Sequence, residues 1–178
     1  MKLYNSFKVS LFLLSLGLLF SCSKTDETRL RVDSSSRVTI PEGTPSGDYE
    51  FEVEVSHDAR ALLSEEGFAV EDIIESELKI MQWDMITPED ASFAFFSSAK
   101  MYLSAGDLPE ILVAWKDHPL QLGASPLHLI RNTNDERLAQ YLKESQHKYR
   151  VEIVIRRDVA EDIVFDINPT FFVTAQKD

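Results

Sequence analysis

Cysteine is nearly absent from this 178-residue chain: Cys22 is the only one. A single thiol excludes an intrachain disulfide and any cysteine-based zinc cluster, so the fold must rest on a packed core. Basic residues are also scarce, 18 Lys and Arg against 30 Asp and Glu, for a net charge of −12. Such a surface repels phosphate backbones, so a nucleic-acid partner is excluded. Glycine occurs only six times and histidine four times. No G-x-S-x-G, H-E-x-x-H, G-x-x-x-x-G-K-[ST] or G-x-G-x-x-G motif is present, so no enzyme and no cofactor is expected. Nor is there a second apolar run after the first 20 residues long enough to span a bilayer.

That first run is informative. Lys2 and Lys8 precede Val9 to Phe20, which carries no charge, and the stretch closes on Leu19-Phe20-Ser21-Cys22. Its length is that of a secretory h-region. The junction resembles the lipobox of bacterial lipoproteins, with an aliphatic residue three before the cysteine and a small one just before it. Phe20 departs from the usual small or medium residue. The resemblance implies a signal peptide over 1–21, acylation of Cys22 and membrane attachment through several acyl chains, which hold firmly where one would not. Cleavage there would leave 157 residues, one domain's worth, with a net charge near −14. Residues 22–36 read as the acylated cysteine and a polar tether. Its acidity is similar to export signals of surface lipoproteins in Bacteroidetes, so an outer-membrane location is expected, the cell surface favoured over the periplasmic face.

The remainder, 37–178, reads as a single domain of short strands. In Tyr49-Glu50-Phe51-Glu52-Val53-Glu54-Val55 apolar and acidic residues alternate strictly, which marks a strand with one buried and one wet face. Arg37–Ile40 is expected to pair with it as a hairpin through Pro41–Gly47. Ala59–Glu66 suggests a short helix ended by Gly67, and Val70–Ile74 another turn. From Leu78 the apolar parity conflicts, Leu78 and Ile80 against Met81, Trp83 and Met85; a bulge near Met81 reconciles them. Pro88 ends that strand, and Ala91–Phe96 is an aromatic plug. Ala99–Leu103 and Glu110–Trp115 form a second hairpin. Pro126–Ile130 is a short strand. A helix over about 134–145 follows, with Thr133 as cap and Leu138, Tyr141 and Leu142 on one face. Tyr149–Ile155 and Ile163–Ile167 are strands joined by an acidic turn, and Pro169 is expected to kink the last strand or place it at an edge. The fold expected is mostly β: an antiparallel sandwich of about seven to nine strands with one packed helix.

This order of parts is similar to that of small uncharacterised β-sandwich lipoproteins of Bacteroidetes envelopes, which implies an envelope location and carries no functional residues. The reading is a lipid-anchored, non-enzymatic binding module for an envelope protein or glycan. The alternatives are a structural subunit of an envelope assembly and a small carboxylate-dependent hydrolase. Among individual residues, His57, His118 and His147 read as exposed loop or strand-end histidines and His128 as partly buried. Asp158 and Asp162 are the weak calcium candidates, in a turn without metal-loop spacing. Glu50, Glu52 and Glu54 form a carboxylate row facing bases such as Arg150 and Arg156. Trp83 and Trp115, which could stack on a sugar, read as core.

Overall fold

The computed structural model describes residues 26–177 apart from 56–58, 90–91, 118–124, 133–136 and 145. Ten strands run in the order β1 (Glu27–Asp33), β2 (Ser36–Ile40), β3 (Gly47–Val55), β4 (Ile73–Thr87), β5 (Phe96–Ala105), β6 (Ile111–Asp117), β7 (Leu127–His128), β8 (Ile130–Arg131), β9 (His147–Ile155) and β10 (Ile163–Gln176). Helix α1 (Ala59–Glu65) follows β3 and α2 (Leu138–Lys143) precedes β9. The strands make two antiparallel five-stranded sheets, β1-β10-β4-β7 with β2 also on β10, and β3-β9-β5-β6-β8. The expected sandwich is present, with a second short helix.

Three differences from expectation fix the topology. Both expected hairpins at the sandwich end are corners instead: β2 pairs with β10 and β3 with β9, so the chain changes sheet in each connection. The reason is hydrogen bonding between the two connections themselves. Gly43 N donates to Val159 O and Val159 N to Thr44 O, both at 2.8 Å, so each turn is stitched to the other instead of closing its own hairpin. Gly43 adopts φ 79°, a left-handed turn conformation suited to glycine.

The fold also begins earlier than residue 37, because Glu27–Asp33 pairs with Gln176–Thr170 along its whole length. Its Thr28, Leu30 and Val32 alternate with Glu27, Arg29, Arg31 and Asp33, a period-two pattern that buries Val32 completely. Most of the expected tether is therefore strand. Finally, Pro169 does not place its strand at an edge: β10 is central, with β4 on one side and β1 and β2 on the other. Ser34 N donates to Pro169 O, so the side of Pro169 that lacks an N–H faces the break between β1 and β2, where the ladder is interrupted anyway.

The bulge expected near Met81 sits at Lys79, between the pairs Leu78↔Phe171 and Ile80↔Thr170. It lets Leu78 and Met81 both point inward and turns Ile80 to solvent. Two further shifts leave Ile74 and Ile86 as extra residues on β4, which is why these isoleucines are exposed. Inside, Trp83, Phe93, Phe96 and Phe165 form one aromatic cluster, with Trp83 stacked on Phe165 at 5.0 Å between centroids. The expected aromatic plug is thus core, and Trp83 is fully buried.

Residues 127–131 close one flank. Leu127–His128 pair with β4 and Ile130–Arg131 with β6, so this segment passes from one sheet to the other within five residues. Helix α2 is shorter than expected, because Glu144 is already extended at φ −70°, ψ 152°; the cap at Thr133 lies outside the described residues. Its Leu138, Tyr141 and Leu142 are buried as the sequence pattern requires.

Candidate functional site

Polar side chains converge on the outer face of the β3-β9-β5-β6-β8 sheet. Alternation places Asp48, Glu50, Glu52 and Glu54 of β3 on that face, while Tyr49, Phe51 and Val53 pack against the core. In register with them on β9 lie Val154, Glu152, Arg150 and Lys148. Glu50 thus stands directly opposite Glu152, an unfavourable like-charge pair. Arg150 resolves it. Its guanidinium bonds both Glu152 and Glu110, lies 3.5 Å from Glu50, and stacks 4.1 Å from the ring centre of Tyr102. Lys148 approaches Glu52 at 3.8 Å and Lys100 reaches Glu152 at 4.0 Å.

The protonation states follow from this geometry. The hydrogen bond to Arg150, opposed by burial and aided by Tyr102, holds the Glu152 carboxyl below its usual range. Bonds to Glu110 and Glu152 push the Arg150 guanidinium up, so it stays charged. Burial, with Glu152 nearby, raises the Tyr102 hydroxyl. Each shift favours the charge state that an ion-pair scaffold uses. Of the row expected to meet Arg150, Glu50 does so and Glu52 approaches Lys148 instead; Arg156, also expected, donates its backbone N–H to Phe95 O at the corner.

Sequence reasoning missed the ligand-like features elsewhere. His147 is buried, its Nε2 on the carbonyl of Tyr141 at the end of α2, where an exposed strand-end residue was expected. Burial, opposed by that bond and by Glu144, pulls its imidazole below the usual value of 6.5. The signal was present in the odd-numbered apolar phase of β9, in which His147 shares parity with Tyr149 and Val151. His128 is exposed, not partly buried, since its pairing with Gln82 puts it on the outer face of a two-residue strand. His57 and His118 lie outside the described residues, as does Cys22.

The two calcium candidates serve as backbone acceptors: Ser46 N donates to Asp158 Oδ1 and Glu42 N to Asp162 Oδ1, each at 2.8 Å. They staple the two corners together. Among the described residues no group of three or more His, Cys, Asp or Glu could hold a metal ion. Beside them a cleft of about 280 Å³ is bounded by Pro88, Phe95, Val159 and Ile163, with Asp158 and Glu161 at its rim. Trp115 is half-buried on β6 beside Ile130 and lines none of the clefts described. No helix among the described residues is long and apolar enough to cross a membrane.

No family model matches the chain, and no curated protein does. Solved structures with a similar fold include the 60-mer BFDV capsid protein, with TM-score 0.42 and 8% identity over 87% of this chain and 96% of that one. The decameric BFDV capsid protein is similar too, with TM-score 0.39 and 11% identity over 85% and 100%. The expected likeness to small Bacteroidetes envelope lipoproteins is corrected accordingly: no family model and no curated protein supports it, and the two structures named above are capsid proteins. The reading as a lipid-anchored envelope binding module is withdrawn with it. At these TM-scores and identities, nothing about function passes from those proteins to this chain.

Proposed function

We propose that this chain is a structural, non-enzymatic subunit of a protein assembly. The observation that carries this reading is β3, a regular nine-residue strand that among the described residues has a strand partner on one side only. A long open edge is a template for pairing, and natural folds shorten, bulge or cover such edges when they work alone. The other strands at the ends of the sheets are shorter: β7 and β8 are two residues long, and β1 and β2, of seven and five residues, are broken from each other at Ser34–Ser35. The polar face beside β3 supports the same reading, because its cations Lys100, Lys148 and Arg150 are engaged with carboxylates of the sheet itself.

The test is the size of the native protein in gently prepared extracts, by native electrophoresis and by chemical cross-linking in intact cells. A species well above the 20.3 kDa chain is expected. A monomer under both conditions overturns the reading. So does turnover of esters, glycosides or peptides by the purified protein that is lost on Glu110→Gln or Glu152→Gln.

Lipid attachment at Cys22, and through it an outer-membrane place for the assembly, is a separate proposal. It rests on Leu19-Phe20-Ser21-Cys22 alone. Metabolic labelling with palmitate tests it: label is expected in the wild type and absent from Cys22→Ser, and an unlabelled wild type overturns it.

A further inference from the structure

Ser36 Oγ donates to Glu54 O at 3.4 Å, which places the Glu54 carbonyl on the side of β3 away from β9. Backbone direction in an antiparallel strand repeats every two residues, so the N–H and C=O groups of Asp48, Glu50 and Glu52 face the same open side. Tyr49, Phe51 and Val53 face β9 with theirs. The open backbone groups therefore belong to the acidic residues, and their carboxylates flank them on the outer face.

This arrangement selects its partner. A second β3 would meet carboxylate with carboxylate in every register that keeps Tyr49, Phe51 and Val53 inward, because all four outward positions are acidic. The β9 side shows what fits instead. There Lys148-Tyr149-Arg150-Val151 alternates base with apolar residue, setting Lys148 and Arg150 beside the carboxylate row and Tyr149 and Val151 in the core layer. The net charge of −12 draws such a segment in.

We propose that β3 accepts an added strand from a partner: an extended segment with Lys or Arg at alternate positions and apolar residues between, paired along Asp48–Glu52. This rests on the assembly reading above and names the chemistry of the partner. Strand addition supplies backbone hydrogen bonds for affinity, and the alternating pattern supplies specificity.

The experiment uses the full chain and a nine-residue peptide of alternating lysine and valine, with a peptide of the same composition in two blocks as control. On addition of the alternating peptide, amide exchange is expected to slow at least tenfold at Asp48, Glu50 and Glu52, and to stay unchanged at Tyr49 and Phe51. Affinity is expected to fall at least tenfold in Glu50→Lys/Glu52→Lys. Glu52→Pro removes an N–H that faces the open side and spares the β9 ladder, so it is expected to abolish binding while Glu52→Gln retains most of it. Equal protection by the blocked peptide, protection without the two-residue period, or equal binding by the Pro and Gln variants overturns the proposal. If native assemblies persist in Glu52→Pro cells, edge pairing falls and the assembly reading stands. If the peptide adds to β3 while the native chain is monomeric, the converse holds.

Discussion

Arg150 is the side chain on which most of the outer face depends. With it removed, Glu50, Glu110 and Glu152 lose their shared counter-ion and Tyr102 its stacked cation. Arg150→Met is expected to lower stability by about 1–3 kcal/mol, read from urea unfolding. Arg150→Lys should recover only part of that, because an ammonium cannot bond two carboxylates in a fork. His147 gives a pH signature. Its folded-state pKa is lowered, so between that value and the usual 6.5 the unfolded chain binds more protons than the folded one. Its contribution is therefore complete above about pH 6.5 and is lost as pH falls toward the lowered value. Unfolding midpoints at pH 5 and pH 8 are expected to differ less in His147→Gln, which keeps a donor for the Tyr141 carbonyl, than in wild type. Trp83 is buried with no hydrogen-bond partner for its Nε1 among the described residues. Trp83→Phe should then cost well under the roughly 3–5 kcal/mol expected for Trp83→Ala, as calorimetry would show.

At the scale of elements, β4 is decided by its bulges. Deleting Lys79 would force either Leu78 or Met81, both buried, onto the solvent face, since a one-residue slip inverts a strand. The deletion is expected to leave no cooperative thermal transition by circular dichroism, whereas Lys79→Ala should keep one close to wild type. Gly106 turns β5 into β6 at φ 52°, and an added Cβ would come within 3.0 Å of the Glu144 carboxylate. Gly106→Ala is expected to cost about 1–2 kcal/mol from backbone strain. Much at this scale was legible: β3, the β5-β6 hairpin, α1 with its Gly67 stop and the buried face of α2 all follow from periodicity and turn residues. The strands on either side of the corners were legible too, but not their partners. A turn such as Pro41–Gly47 looks the same in sequence whether it closes a hairpin or changes sheet.

For the whole molecule, two stitched corners close one end of the sandwich, and the crossing segment 127–131 closes one flank. Among the described residues β3 is the longest strand at the end of either sheet. The acidic row on β3 was visible from its alternation, and so was Arg150 as a counter-ion, which the structure sets beside Glu50. That β3 is an edge was not visible, because a strand flanked on one side and a strand flanked on both can share one apolar face and one polar face. Association through this edge should weaken as salt rises from 50 to 500 mM, since exposed charges more than a Debye length apart are screened; sedimentation at the two concentrations would show it.

The sequence by itself determined that the chain is a β protein with one core, which side of most strands faces inward, and that thiol and disulfide chemistry play no part in the fold. These properties depend on local periodicity and composition, and a chain carries both along its length. The tertiary structure alone decided which strands are neighbours, that Glu27–Asp33 belongs to the fold and that Pro169 sits in a central strand. Each of those depends on a partner distant in sequence, such as Thr170–Gln176 for Glu27–Asp33 or the break at Ser34–Ser35 opposite Pro169. No local pattern encodes a hydrogen bond whose other half lies more than a hundred residues away.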